Sequence, residues 1–193
     1  MPTYTGPGHA SIFTGTTPAV HGIIGNNWYD KYTKTSVYCA GDGNMRTVCN
    51  YCDNHTTDVL SNDGQMSPHR MLTTTIGDEL QLFNTASKVI GISLKDRGAI
   101  LPAGHMGDAA YWMDTKGEWI TSSYYMQALP EWMLNYQKEN TVSDYLNGKW
   151  EGENFSYNLD TLMAENGPKV IANTPLGNSI LKDLAIEIIN EEK

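Results

Sequence analysis

Residues 87–98 read SKVIGISLKDRG, and this stretch decides the fold class. Val89, Ile90 and Ile92 form a short β-branched run of the kind that lies buried in a sheet. The run opens at its C-terminal end into the polar segment Lys95-Asp96-Arg97-Gly98. Just upstream, SPHRMLTTTIGDELQLF (67–83) places Leu72, Ile76, Leu80 and Phe83 at helical spacing. Ser67 is the expected N-cap there, with Pro68 as the first helical residue. Helix, then strand, then polar loop is the rhythm of an α/β layer fold, so a mainly parallel sheet carrying helices is expected.

Working outward, PGHASIFTG (7–15) predicts a short helix with proline in its first turn and glycine at its end. GIIGNN (22–27) reads as an apolar run closed by an asparagine turn. Residues 38–68 have no sustained period and many turn formers, which predicts a surface excursion. AAYWMDTKGEWITSSYY (109–125) predicts two strands around a DTKGE turn, and LPEWMLNYQKEN (129–140) a short helix. Residues 109–167 as a whole read as an insert or lid on the α/β layer, 141–167 being mostly loop with some helical character. KVIANTP (169–175) then reads as a return strand, and LGNSILKDLAIEIINEE (176–192) as a helix with Ile180, Leu184 and Ile188 aligned. The division is therefore 1–108, 109–167 and 168–193.

A chain of 193 residues supports one sizeable core, and 40% hydrophobic residues with 18% charged ones mark it as globular. The net charge of −9 disfavours a nucleic-acid backbone as partner, because there is no basic surface large enough to displace counterions. A small phosphorylated substrate remains compatible if metal ions or a few cations reverse the local field. No apolar run is long enough for a membrane span. No secretory leader is recognisable, which a mature chain would lack as well.

Cys39, Cys49 and Cys52 lie within fourteen residues. With His55 they could form a four-ligand zinc knuckle, or they could hold one disulfide and one spare thiol. NHT at Asn54 fits a glycosylation sequon. His9, His21, His55, His69 and His105 are scattered, and no aspartate completes a recognisable ligand cluster with them.

Three short elements could carry chemistry. Thr5 precedes a Gly-Pro-Gly turn at a helix start, where backbone N–H groups attract anions; its hydroxyl would be a nucleophile given a base or metal, and otherwise a helix cap. Lys95 and Arg97 are one residue apart at the end of a strand. Continued strand geometry would aim both at one side, where open α/β sheets bind ligands; the alternative is a solvated loop with Asp96 pairing locally. Asn26 and Asn27 offer a side-chain amide to a phosphoryl oxygen, or simply form a turn.

PTYTGPGHASIFTGTTPAVHGIIGNNWYD, MSPHRMLTTTIGDEL, SKVIGISLKDRGAILPAGH, AAYWMD, GEWITSSYY and NTPLGN, in this order, resemble the alkaline phosphatase superfamily. The similarity is to its type I phosphodiesterase/nucleotide pyrophosphatase branch, and most of all to the periplasmic phosphate-irrepressible alkaline phosphatases. It implies a three-layer α/β sheet with helices on both faces, present here in part. It also implies hydrolysis of phosphate monoesters through a phosphothreonine in a two-zinc site. Thr5 falls on the nucleophile and zinc ligand, Asn26 on a phosphoryl hydrogen-bond donor, and Lys95 and Arg97 on the monoesterase pair that holds the transferred group. The family draws its other zinc ligands from an aspartate before the nucleophile segment and from residues beyond the TPxGN helix, so those ligands are expected outside this chain. The implied partners are a small phosphorylated substrate and a further portion of the same polypeptide, in a periplasmic or secreted setting. A phosphodiesterase, or a non-catalytic fragment that binds phosphate or a partner, are the alternatives.

Overall fold

The computed structural model describes residues 3–52 and 62–192. Asp53, the sequon at Asn54, and His55 lie outside them. The chain begins with α1 (Thr5–Thr14) and α2 (Pro18–His21), followed by the hairpin β1 (Asn27–Asp30) and β2 (Thr35–Tyr38). Next come β3 (Thr47–Val48), a 3₁₀ turn at Asn62–Gly64, α3 (Ile76–Phe83), β4 (Ile90–Ser93) and α4 (Asp96–Ala103). The hairpin β5 (Ala109–Met113) and β6 (Trp119–Ser122) leads to α5 (Glu131–Glu139) and α6 (Val142–Tyr145). A second small hairpin, β7 (Lys149–Gly152) and β8 (Phe155–Asn158), precedes α7 (Leu159–Asn166), a 3₁₀ helix (Pro168–Asn173) and α8 (Leu176–Glu191).

The central sheet has the order β3-β6-β5-β4. β4 pairs with β5 in parallel, while β5–β6 and β6–β3 are antiparallel, so the sheet is mixed rather than mainly parallel. The difference arises because β5 returns through a five-residue turn into β6, and a tight hairpin can only be antiparallel. The hairpin expected in 109–125 is present and is hydrogen-bonded into the same sheet as β4.

Side-chain alternation along β5 separates the two faces. Tyr111 and Met113 enter a core with Trp119, Met133, Ile180 and Leu184, which puts α5 and α8 on one side. Ala110 and Trp112 enter a second core with Ile120, Ala99, Ile100 and Ala103, which puts α4 on the other. These are the helices on both faces that the family resemblance implies. Outside α4 a third core of Ala10, Ile23, Cys39, Met71 and Leu101 attaches α1. Each fully buried aliphatic or aromatic side chain contributes about 1.5–3 kcal/mol relative to exposure. Gly91 lets the α4 backbone lie against β4, because a Cβ there would collide with the Ala99 carbonyl.

Three further expectations need correction. The helix expected from Pro68 begins at Ile76, where Thr75 and Asp78 form a reciprocal capping box. The expected stripe is exposed, with Leu72 ahead of the helix and Ile76, Leu80 and Phe83 on it, and Gly77, Asp78 and Gln81 make up the buried side. The strand expected at 169–175 is the 3₁₀ helix, started by Pro168 after Gly167 and closed by the Thr174 hydroxyl on the Ile171 carbonyl; Val170 and Ile171 fill the core instead of pairing. The surface excursion of 38–68 contributes β3 to the sheet and buries Cys39, Ala40 and Ser67. The hairpins β1–β2 and β7–β8 were not anticipated. As for the cysteines, Cys49 and Cys52 form a disulfide while Cys39 is free and buried, so they do not gather as a zinc knuckle.

Candidate active site

Thr5 is the first residue of α1, and Tyr4 occupies the N-cap position without a side-chain cap bond. The threonine therefore does not cap the helix, and its half-buried side chain is left to other uses. The following N–H groups are largely spoken for. Gly6 donates to Asn26 Oδ1 at 2.7 Å, Pro7 has no N–H, and Gly8 donates to the Tyr4 carbonyl at 2.9 Å. The anion cradle expected from the helix start is thus reduced by one asparagine and one proline. The His9 ring lies 2.8 Å from the Thr5 carbonyl through Nδ1, with the ring as the donor.

The Gly6 bond has a second effect. A backbone N–H can be accepted only by the carboxamide oxygen, so it fixes which way Asn26 points. Its Nδ2 group carries two donors that bond to nothing among the described residues. Space at Gly6 is tight, since an added Cβ would stand 3.1 Å from both Asn26 Oδ1 and Cys39 Sγ. The Asn26 carbonyl in turn accepts from the Cys39 N–H at 2.9 Å. This places Tyr38, the neighbour of Cys39, beside α4.

Tyr38 organises the cationic side of the site. Its hydroxyl donates to Asp96 Oδ1 at 2.7 Å and accepts from Arg97 Nη1 at 2.8 Å, while Asp96 lies 3.9 Å from the same guanidinium nitrogen. Burial, followed by the Asp96 charge, raises the Tyr38 pKa, which keeps the phenol protonated as the donor to Asp96. Burial opposes the Arg97 charge, yet the Tyr38 hydroxyl and Asp96 carry its pKa above the usual range. Burial with Asp96 nearby pushes the Cys39 thiol up to about 11, so that cysteine is inert packing rather than a nucleophile.

Lys95 and Arg97 do share one side, but not through strand geometry. Lys95 is the N-cap of α4 and Arg97 its second residue, and the bend between strand and helix brings both onto one cavity of about 260 Å³. Lys95 is exposed and Arg97 is held by Tyr38. Thus Thr5, Asn26 and Arg97 are linked by a continuous run of contacts, and Lys95 stands beside Arg97 as an exposed cation. Thr5 and Asn26 do not line that cavity. Tyr38 is the residue that sequence reasoning missed. Its partners lie 58 and 59 positions away, beyond any local signal.

The donor set for metal is a separate matter. Among the described residues no group of three or more His, Cys, Asp or Glu side chains is placed to hold a metal ion. Among the described residues Thr5 therefore has no partners with which to hold a two-zinc centre.

Comparisons with known proteins agree with the fold and the order of these elements. The sequence model of the type I phosphodiesterase/nucleotide pyrophosphatase family matches residues 1–175. A Myroides odoratus protein described as a calcium-transporting ATPase is 39% identical over 221 residues, covering 100% of this chain and 39% of its own length. The alkaline phosphatase PhoV of Synechococcus elongatus is 44% identical over 162 residues, covering 83% of this chain and 27% of its own. The crystal structure of the alkaline phosphatase PafA superposes with a TM-score of 0.79 at 36% identity, covering 98% of this chain and 40% of that one. A PafA variant with a threonine, an asparagine, a lysine and an arginine substituted, in that order along its chain, superposes equally well. This chain therefore spans well under half the length of the relatives it matches. It belongs to the type I phosphodiesterase/nucleotide pyrophosphatase family.

Proposed function

We propose that the complete protein hydrolyses phosphate monoesters, with Thr5 as nucleophile. The observation that carries this reading is the linked arrangement of Thr5, Asn26 and Arg97 with Lys95 alongside. The four residue types substituted in the matched PafA variant, in their order along the chain, are these four types, which supports the assignment. The Thr5 hydroxyl oxygen attacks phosphorus, and the ester oxygen leaves with the bonding pair and takes a proton. Water then cleaves the phosphothreonine, releasing inorganic phosphate and restoring the hydroxyl. Asn26 Nδ2 donates to an oxygen whose charge grows in the transition state, which at a preorganised site is worth about 2.7–4 kcal/mol. Arg97 grips two oxygens in a planar fork, and Lys95 supplies a point charge.

The resemblance implies two zinc ions, which when bound would activate the threonine and the attacking water. Their further ligands would come from outside this chain, and the 193 residues alone are expected to retain no stoichiometric zinc and no turnover above background. Elemental analysis of the purified chain with a monoester assay checks both. A tight zinc pair with robust turnover in a sample of 21.4 kDa would overturn that expectation. The Cys49–Cys52 disulfide favours a periplasmic or secreted setting, because cytosolic thiols are kept reduced. Among the described residues no helix is long and apolar enough to cross a membrane.

The monoester preference follows from the cation pair, because a terminal phosphoryl group has one more charged oxygen to hold than a diester. The test compares monoester and diester hydrolysis by the complete polypeptide and by its Lys95→Ala and Arg97→Ala variants. The expected result is a loss of about 10²-fold or more on the monoester and a much smaller loss on the diester. Equal losses would remove the monoesterase reading in favour of a diesterase.

A further inference from the structure

The cavity beside Lys95 and Arg97 has a third cation. Lys169, from the 3₁₀ helix Pro168–Asn173, lines it from the opposite end of the sequence. It forms no ion pair among the described residues, and neither does Lys95. Its backbone is well anchored: Val170 and Ile171 beside it are buried in the main core, and Pro168 packs over Gly117. A lysine on a fixed backbone at the rim of a cavity is a positioned charge on a flexible stem.

The rest of the wall has two characters. Leu94, Met66, Met113 and Ile171 make an apolar surface. Two carboxylates are also present, but both are engaged. Asp96 accepts from Tyr38, and Asp63 Oδ2 accepts from the Thr115 N–H and hydroxyl at 3.3 Å each. Three cations against two carboxylates leave the lining one net positive charge, a local reversal of the field in a chain of net charge −9.

We propose that Lys169 forms a subsite for a second anionic group on the leaving side of the substrate, so that the cavity takes phosphate monoesters whose leaving group combines an apolar body with a distal carboxylate or phosphate. This rests on the reading of Lys95 and Arg97 as the phosphoryl-holding pair. Those two hold the transferred group at one end. The apolar wall accommodates the body of the leaving group, and Lys169 meets the distal charge. The leaving group takes this direction because Thr5 and Asn26 lie outside the cavity that Lys95 and Arg97 share with Lys169.

The test uses equilibrium binding by calorimetry to the complete polypeptide carrying Thr5→Ala, so that no probe is turned over. The probes are phenyl phosphate, 4-carboxyphenyl phosphate and 1,4-phenylene bisphosphate. With Lys169 in place, that polypeptide should bind the two dianchored probes about threefold to fivefold more tightly than phenyl phosphate, the range of an exposed charge contact. Lys169→Ala should abolish that advantage and leave phenyl phosphate unchanged, and Lys169→Arg should restore it. If the advantage is seen with the bisphosphate alone, the distal group is a phosphate; if with both, any anion serves. Lys95→Ala should weaken all three probes by the same factor. If instead it changes none while Lys169→Ala still removes the advantage, the subsite stands and the phosphoryl-pair reading fails. Equal weakening of every probe by Lys169→Ala, no effect of it, or no saturable binding of any probe at millimolar concentration would each overturn the subsite.

Discussion

β4 and β5 are hydrogen-bonded neighbours in one parallel pair, yet all five residues of β5 are buried while in β4 only Gly91 is. The sequences of the two strands do not account for this, since Ile90 and Ile92 are more β-prone than Ala109 and Ala110. Position accounts for it. β5 has a strand on each side and a core on each face, whereas β4 ends the sheet and borders two apolar grooves. One groove, of about 850 Å³, runs between β4 and the α1 and α3 side chains Phe13, Ile76, Leu80 and Phe83. The other, of about 420 Å³, runs between β4 and Ile188 and Ile189 of α8. Apolar residues stabilise only what they are packed against, so equal hydrophobicity on the two strands should give unequal stability.

The largest effect is expected on the closed side. Trp112→Ala removes a side chain buried between β5, Ile100 and Ile120 and should cost about 3–5 kcal/mol. Ile92→Ala on β4 should cost less than about 1.5 kcal/mol. Urea denaturation of both variants measures the contrast, and comparable losses would break it.

On the open side α3 is held by polar bonds rather than by its exposed apolar stripe. Asp78 is fully buried and accepts from the N–H groups of Thr75 and Met106 at 2.8 and 2.7 Å. Gly104, at φ +74°, must stay a glycine because a Cβ would strike the Asp78 carboxylate and the Thr75 hydroxyl. Asp78→Ala strands those donors and should cost about 2–3 kcal/mol, read from the same denaturation curves. Leu80→Ala, on the exposed stripe, should cost less than about 1 kcal/mol.

His21 ties α2 to α1 in the same region. Its Nδ1 accepts from the Ile23 N–H at 3.1 Å, so Nε2 carries the proton and donates to Ser11 Oγ at 3.0 Å. Burial lowers its pKa, and the folded chain therefore resists its protonation. Above about pH 6.5, the ordinary histidine value, both folded and unfolded forms hold it neutral and its contribution to stability is complete. As the pH falls below that value the unfolded chain binds the proton first, and stability declines. Thermal melts between pH 7.5 and 5 should show a drop that is smaller in His21→Asn; an identical drop in both would remove His21 as the cause. The smallest effect is expected for Phe83→Ser. This ring is 90% exposed in the wide groove, and the change should alter stability by no more than about 0.5 kcal/mol.

The layered fold, the helices at both ends and the β5–β6 hairpin were legible because each is a local pattern with its own period. Ile180, Leu184 and Ile188 face the core as their spacing indicates. Periodicity misled at Leu72, which lies ahead of the helix, and at Ile76, Leu80 and Phe83, where the helical stripe is real but its burial depends on what lies opposite. KVIANTP looked like a strand by composition, and the Pro168 start turned it into a 3₁₀ helix. For the candidate site, Thr5, Asn26, Lys95 and Arg97 stand out in their motifs only as candidates, and the roles proposed for them come from the family resemblance. The Gly6–Asn26 and Tyr38–Arg97 bonds that relate them span 20 and 59 residues and are a product of the fold alone.

The central claim is that Thr5 carries the phosphoryl group. The direct measurement is acid quenching of the complete polypeptide during steady turnover of a phosphate monoester, followed by mass analysis of the peptide that contains Thr5. The account predicts a phosphorylated Thr5, absent without substrate, and loss of both the adduct and turnover in Thr5→Ala. Undiminished turnover by Thr5→Ala, or a phosphoryl group carried on another residue, would contradict it.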